Sequence, residues 1–159
     1  MISLFPLFRW ASDTWVAHWI ADSTWIFPAL EGVHIVALAM LFGAVIFVDL
    51  QMLGVIRSDT PVSRLEKSLR PWIFCSLVVI LLTGVLLFAS EATKLYNSAP
   101  FRIKVVALVL ALVFHFTVHR KVIQTEGRRA GPKWERWIAG VSLVLWISVG
   151  LAGRAIGFF

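Results

Sequence analysis

Ionisable side chains interrupt the long apolar stretches of this 159-residue sequence. Moving a charged group into the hydrocarbon region of a bilayer costs about 2.5–3.5 kcal/mol on insertion scales, so such groups usually face a protein interior and serve a function. The residues concerned are Glu31, His34 and Asp49 in the first stretch, Lys104, His115 and His119 in the third, and Arg154 near the end of the fourth.

His34 has the side chain best suited to binding chemistry. An imidazole inside a membrane span can bind haem iron or a metal ion, or relay a proton, and the alternative is an interhelical hydrogen bond that fixes packing. Glu31 precedes it by three residues, on the same side of a helix, and is expected to face the bundle interior and orient the ring. Lys104 is either a second ligand, a partner for an anionic group, or a side chain that extends towards the lipid headgroups.

His115 and His119 are separated by four residues, which places both imidazoles on one face of an α-helix. This spacing suits a transition metal, with Asp49 as a third ligand at similar depth. The alternative is that His119, which is followed by Arg120, lies hydrated at the membrane boundary. The pattern therefore leaves a metal site and a wet helix end as two interpretations.

The composition indicates an integral membrane protein. Hydrophobic residues make up 59% of the chain, and the mean hydropathy is +0.84. The formal net charge is +6, but the basic residues cluster between apolar spans, which is typical of a topology signal rather than a nucleic-acid-binding surface. We therefore expect the lipid bilayer, and no nucleic acid, as a partner.

Four apolar segments have about the 20 residues that a helix needs to cross a bilayer. They run over about 27–53, 71–90, 101–119 and 137–157. The sequence thus predicts an all-α, four-helix transmembrane bundle as a single domain over 27–159, with Pro71 in the first turn of the second helix. Residues 1–26 interleave tryptophans and phenylalanines with polar residues, which predicts an amphipathic segment lying at the membrane interface.

The distribution of basic residues predicts the orientation. Four Lys and Arg residues lie in 57–70, after the first span, and six lie in 120–136, after the third, out of fifteen in the chain. The positive-inside rule places both loops in the cytoplasm. In a bacterium this gives a multi-pass protein of the inner membrane with both termini outside.

Depth divides the ionisable residues into two groups. The predicted outer group consists of Glu31, His34, Glu91, Lys104 and Arg154, and the predicted inner group consists of Asp49, His115 and His119. With a rise of about 1.5 Å per residue, His34 and His115 differ by roughly 10 Å in depth, so one haem held axially by both is disfavoured. Arg154 is expected to pair with a carboxylate of its group or with a haem propionate.

Several runs of residues resemble an uncharacterised family of small bacterial four-helix inner-membrane proteins. The runs are Glu31-Gly32-Val33-His34, Val48–Gly54, Leu82–Phe88 with Glu91, and Pro100–Lys104. More distantly, the sequence is similar to the HemJ-type protoporphyrinogen oxidases and to the copper-resistance D membrane proteins. In the HemJ-like pattern a histidine early in one span and a lysine that opens a later span are tied to haem, and His34 and Lys104 match those positions.

Three functions are expected from these observations. The first is a small membrane redox protein that carries electrons through a b-type haem in the outer half of the bundle, with a membrane redox partner or a quinone. The second is the handling of copper or another metal by His34 or by the His115–His119 pair. The third is an accessory or structural subunit whose buried charges pair with each other. Small residues on the helices also allow a homo-oligomer.

Overall fold

The computed structural model describes residues 5–96, 98–124 and 131–155, and within these ranges the chain is helical without strands. This confirms the all-α prediction for the described residues. In chain order the helices are α1 (Phe5–Ser12), α2 (Trp15–Ala21), α3 (Ile26–Met52), α4 (Val62–Leu95), α5 (Ala99–Phe114), a π-helical turn (His115–His119), α6 (Arg120–Gln124) and α7 (Gly131–Ala155).

Four helical segments are long and apolar enough to cross a membrane. They are Ile26–Met52, Val62–Leu95, Ala99–Gln124 and Lys133–Gly153, with 27, 34, 26 and 21 residues. The third of these joins α5, the π turn and α6 into one continuous segment. The protein is therefore a multi-pass membrane protein with four predicted spans, while the cellular membrane and the orientation stay predictions. Part of the basic loop before α7, with Arg128 and Arg129, lies outside the described residues.

The second span begins earlier than the sequence predicted. Helix α4 starts at Val62, so Pro71 lies inside the helix and not in its first turn, and that expectation was wrong. Pro61 stands before the helix instead, and its carbonyl accepts hydrogen bonds from the backbone N–H groups of Arg64 and Leu65 at 3.0 and 3.1 Å. Apolar side chains of this added segment pack on the core of the bundle, which stabilises helix that hydropathy alone does not reveal.

Glu91 marks an interruption near the other end of α4. Its backbone has φ −126° and ψ 19°, which is not helical, and the helix then continues to Leu95. The Glu91 carboxylate accepts a hydrogen bond from Lys94 Nζ at 2.9 Å, three residues further on. The span thus extends past the predicted end at residue 90.

The N-terminal segment forms two short helices. Helices α1 and α2 have eight and seven residues, far fewer than a membrane crossing requires. The Thr14 hydroxyl oxygen accepts a hydrogen bond from the backbone N–H of Ala17 at 3.3 Å and so caps α2. Phe8 packs edge-on against Phe88 of α4 and against Tyr96, which follows α4, at ring-centroid distances of 5.0 and 5.3 Å. The interfacial location of this segment stays a prediction.

The chain divides into two compact units. The first unit comprises residues 1–41 and 74–98, and the second comprises residues 42–73 and 99–159. Helices α3 and α4 are both divided between the two units. In the second unit α5 packs along α7, and the small side chains of Ala107, Ala111 and Ala139 are buried there. A core of Val48, Met52, Ile123, Ile138 and Ala139 closes one end of this unit.

Candidate functional site

His34 is buried in the first unit and is held by one side chain of α4. Its Nδ1 lies 2.8 Å from the Thr83 hydroxyl oxygen. The single hydroxyl proton of Thr83 is donated to the backbone carbonyl of Val79, at 2.7 Å. With that proton on Val79, Thr83 serves as the acceptor for an Nδ1–H of His34, which is the arrangement expected of an oriented imidazole. The fold thereby selects one tautomer and one ring orientation.

Thr83, and not Glu31, orients the imidazole. Glu31 is exposed, so the expectation that it faces the interior beside His34 was wrong. The buried positions of α3 follow His34 at Ala37 and Leu41, and the same repeat extended backwards passes through Leu30. A rotation of about 60° is enough to carry Glu31 off this narrow strip. A lone threonine in the middle of an apolar span was the signal for Thr83.

The backbone of α4 also comes close to the His34 ring. Gly84 follows Thr83, and a methyl group placed on it would lie 3.5 Å from the ring Cε1. The Cε1 edge of the imidazole therefore lies near a glycine, with space for a methyl group in ordinary contact. The predicted partner Glu91 is paired with Lys94 on its own helix, and the side chain of Arg154 lies outside the described residues. The expected ion pairs of Arg154 stay predictions.

Lys104 belongs to the second unit, where its stem lies against α7. A Cβ atom on Gly153 would lie 3.5 Å from Lys104 Cε and 3.6 Å from Nζ. The glycine leaves room for the lysine side chain, which is half-buried. Within the described ranges no carboxylate lies within ion-pair distance of its ammonium group.

The three residues of the predicted inner group lie together in the second unit. His119 Nε2 donates to Asp49 Oδ1 at 2.6 Å, and both side chains are almost fully buried, with 1% and 0% of their surface exposed. The ring of His115 stacks on that of His119 at a centroid distance of 5.1 Å and an angle of 26°. Trp146 of α7 meets the ring of His115 edge-on at 6.4 Å. Two helices and the π turn thus enclose an Asp–His–His cluster.

The π turn gives the two histidines their stacked arrangement. The backbone N–H of Arg120 donates to the carbonyl of His115, five residues earlier, in place of the four of an α-helix. In an α-helix side chains four residues apart diverge by about 40°, and the extra residue in a π turn reduces this divergence. The α-helical spacing predicted from the sequence does not include this π turn. Single π turns occur frequently at functional sites.

Polar atoms around this cluster lack partners. Among the described residues, five buried side-chain atoms make no hydrogen bond: Asp49 Oδ2, His115 Nδ1, His119 Nδ1, Arg120 Nε and Ser142 Oγ. The Ser142 hydroxyl lies near Asp49 but makes no hydrogen bond of standard geometry. Leaving a buried polar group unsatisfied costs about 1–3 kcal/mol. These unsatisfied groups lower the stability of the folded protein, so a purely packing role does not account for the cluster.

The predicted third metal ligand does not act as one in this arrangement. His119 Nε2 contacts Asp49 Oδ1 directly at 2.6 Å, so this oxygen accepts a hydrogen bond and no ion fits between the two atoms. Over the described part of the chain, no three His, Cys, Asp or Glu side chains come together to hold a metal ion. Asp49 is instead the group that orients His119.

Comparison with known proteins identifies a family. No curated protein and no solved structure matches the chain. A family of unknown function, DUF6644, matches residues 7–159. This match includes α2 to α7 entirely and most of α1, and therefore both units. The chain belongs to the DUF6644 family.

Proposed function

We propose that this protein is a small membrane redox protein that binds a b-type haem through His34 in the first unit. The observation that supports the proposal is the 2.8 Å contact between Nδ1 of the buried His34 and the Thr83 hydroxyl, which fixes the orientation of the imidazole. Histidines that bind a metal usually donate the other ring N–H to a fixed acceptor in this way. Lys104 as a second ligand or propionate partner and Arg154 as a propionate partner stay predictions from the sequence.

The residues around His34 fit an iron ligand. The side chain is 8% exposed, and Ala37 and Leu41 further along α3 and Ile80 of α4 are buried as well. An apolar environment excludes water from the iron and sets its reduction potential together with the axial ligand. When bound, haem supplies reversible one-electron chemistry. The protein's own part is to orient His34, to exclude water and to exchange electrons with a membrane redox partner or a quinone.

A visible absorption spectrum of the full-length protein, purified with haem supplied during expression, tests the proposal. We expect a Soret band with α and β bands that appear on reduction. His34→Ala should abolish this spectrum or shift it strongly, because an axial ligand is lost. A preparation that takes up no haem would overturn the proposal, as would an unchanged spectrum in His34→Ala. Metal analysis of haem-free protein would then test copper binding.

Thr83→Val tests the orienting role. It should retain haem but change its midpoint potential, because the Nδ1 proton loses its fixed acceptor. Thr117→Val is the matched control, since the Thr117 hydroxyl donates to the carbonyl of Val113, four residues earlier, and is exposed. A Thr117→Val potential equal to the wild-type value, with a shift in Thr83→Val, supports the role. Equal potentials in both variants would contradict it.

A further inference from the structure

The second unit contains a polar site that the proposed function does not use. Asp49, His119 and His115 form one contiguous buried group, in which each side chain has one atom without a hydrogen-bond partner, and two neighbouring atoms, Arg120 Nε and Ser142 Oγ, also lack one. Each of those atoms has essentially no accessible surface. A quinone or another organic ligand needs a pocket of a few hundred cubic ångströms, so it does not fit a group enclosed in this way. A proton meets this size limit.

The hydrogen bond between Asp49 and His119 determines which nitrogen can bind a proton. The carboxylate accepts from Nε2–H, so the lone pair of a neutral His119 is on Nδ1. Protonation at Nδ1 creates an imidazolium that the adjacent carboxylate neutralises at 2.6 Å. The stacked His115 ring presents its own unpartnered Nδ1, at a centroid distance of 5.1 Å.

We propose that Asp49, His119 and His115 form a proton-transfer relay within the second unit. A proton binds the Nδ1 lone pair of His119, which becomes a cation paired with the Asp49 carboxylate. His119 then loses this proton and returns to its neutral form as Nδ1 of His115 gains it. Only N–H bonds form and break, and no electron moves. The relay holds one proton at a time, since two adjacent imidazolium rings repel each other.

The surrounding charges agree with a single shared proton. Burial disfavours a positive charge on His115 most strongly, and a charged His119 and the neighbouring Arg120 disfavour it further. From α7 the cluster meets Ser142 and Trp146, of which neither carries a charge. The charged groups of α4 in this unit do not compete with the two histidines for the shared proton. They are Glu66, paired with Arg70 at 2.9 Å, and the exposed Arg64 and Lys67.

Nitrogen NMR of the full-length protein with ¹⁵N-labelled histidine, in lipid nanodiscs between pH 5 and 9, tests the relay. The chain has four histidines, so each ring can be assigned by substitution. We expect neutral His119 to carry its proton on Nε2, and the rings of His115 and His119 to bind one proton between them. Independent titration of the two rings, each with a full proton, would overturn the proposal. So would two rings that stay neutral throughout in folded protein.

Asp49→Asn tests the role of the carboxylate. Removing the negative charge should weaken proton binding by the pair at least about tenfold, so that the titration midpoint moves to lower pH. If Asp49→Asn binds the proton with the same titration midpoint as the wild type, Asp49 has only a packing role and the relay is contradicted. Circular dichroism and gel filtration check that the variant is folded.

Ser142→Ala keeps the proposal testable if Asp49→Asn does not fold. Loss of the hydroxyl near the carboxylate should weaken proton binding about threefold, a typical effect for one neutral hydrogen-bonding group. Ser148→Ala, also on α7, is the matched control, because the Ser148 hydroxyl donates to the carbonyl of Val144 at 2.7 Å and is exposed. Equal titrations for the two serine variants and the wild type would contradict the relay. None of these measurements requires haem, so the relay and the proposed haem site fail independently.

Discussion

Gly150→Ala should destabilise the second unit by overpacking. A methyl group at Gly150 would lie 2.6 Å from Cε2 and 3.2 Å from Cζ of Phe42, inside van der Waals contact. The Phe42 ring must therefore move, yet it packs edge-on against Trp146 at a centroid distance of 5.8 Å. Trp146 is 2% exposed and also contacts His115, so the disturbance reaches the Asp–His–His cluster.

Gly140→Ala is the matched control, and it measures the stability gained from glycine to alanine without overpacking. Both glycines lie within α7, and nothing lies within 4 Å of a Cβ atom placed on Gly140. Alanine in a helix interior is favoured over glycine by about 1 kcal/mol, so Gly140→Ala should stabilise the protein by up to that amount. Overpacking costs about 1–3 kcal/mol and opposes the same gain at position 150. We expect Gly150→Ala to be about 1–3 kcal/mol less stable than Gly140→Ala.

Equilibrium unfolding in mixed detergent–SDS micelles, followed by far-UV circular dichroism, measures this difference. Adding Phe42→Leu to Gly150→Ala should recover part of the loss, because the smaller side chain leaves room for the methyl group. The reasoning is refuted if Gly150→Ala is as stable as Gly140→Ala. An identical loss with and without Phe42→Leu would also refute it, since the two residues would then not be coupled.

Two further predictions concern charge and orientation. Lys94→Ala should change the stability by less than about 0.5 kcal/mol in the same unfolding assay, because Lys94 is 78% exposed and its pair with Glu91 is screened by solvent; a larger loss would show that the pair holds the interruption in α4 together. The topology is tested in a Cys75→Ala background, which lacks cysteine. Ser58→Cys in the α3–α4 loop should react with an impermeant maleimide only after the inner membrane is opened, whereas Ser23→Cys should react in intact spheroplasts. The reverse pattern would invert the topology.

The amino-acid sequence by itself determined the spans and the residues worth attention. Hydropathy over about 20 residues is a local property, so it located all four membrane-crossing helices and the polar side chains within them. The ends were less well determined. Hydropathy fails at the start of α4, where Glu66 and Arg70 pair with each other and apolar neighbours pack on the core.

Tertiary structure decided which polar groups meet. Thr83 looks self-satisfied in the sequence, since a threonine in a helix can bond its own backbone, and only the packing of α3 on α4 shows that it also accepts from His34. The π turn at His115–His119 is equally hidden, because an inserted residue changes the direction of side chains without changing composition. Helical periodicity gives angles about one axis. The partner across the interface depends on how two axes pack, and that is set by contacts between residues distant in the chain.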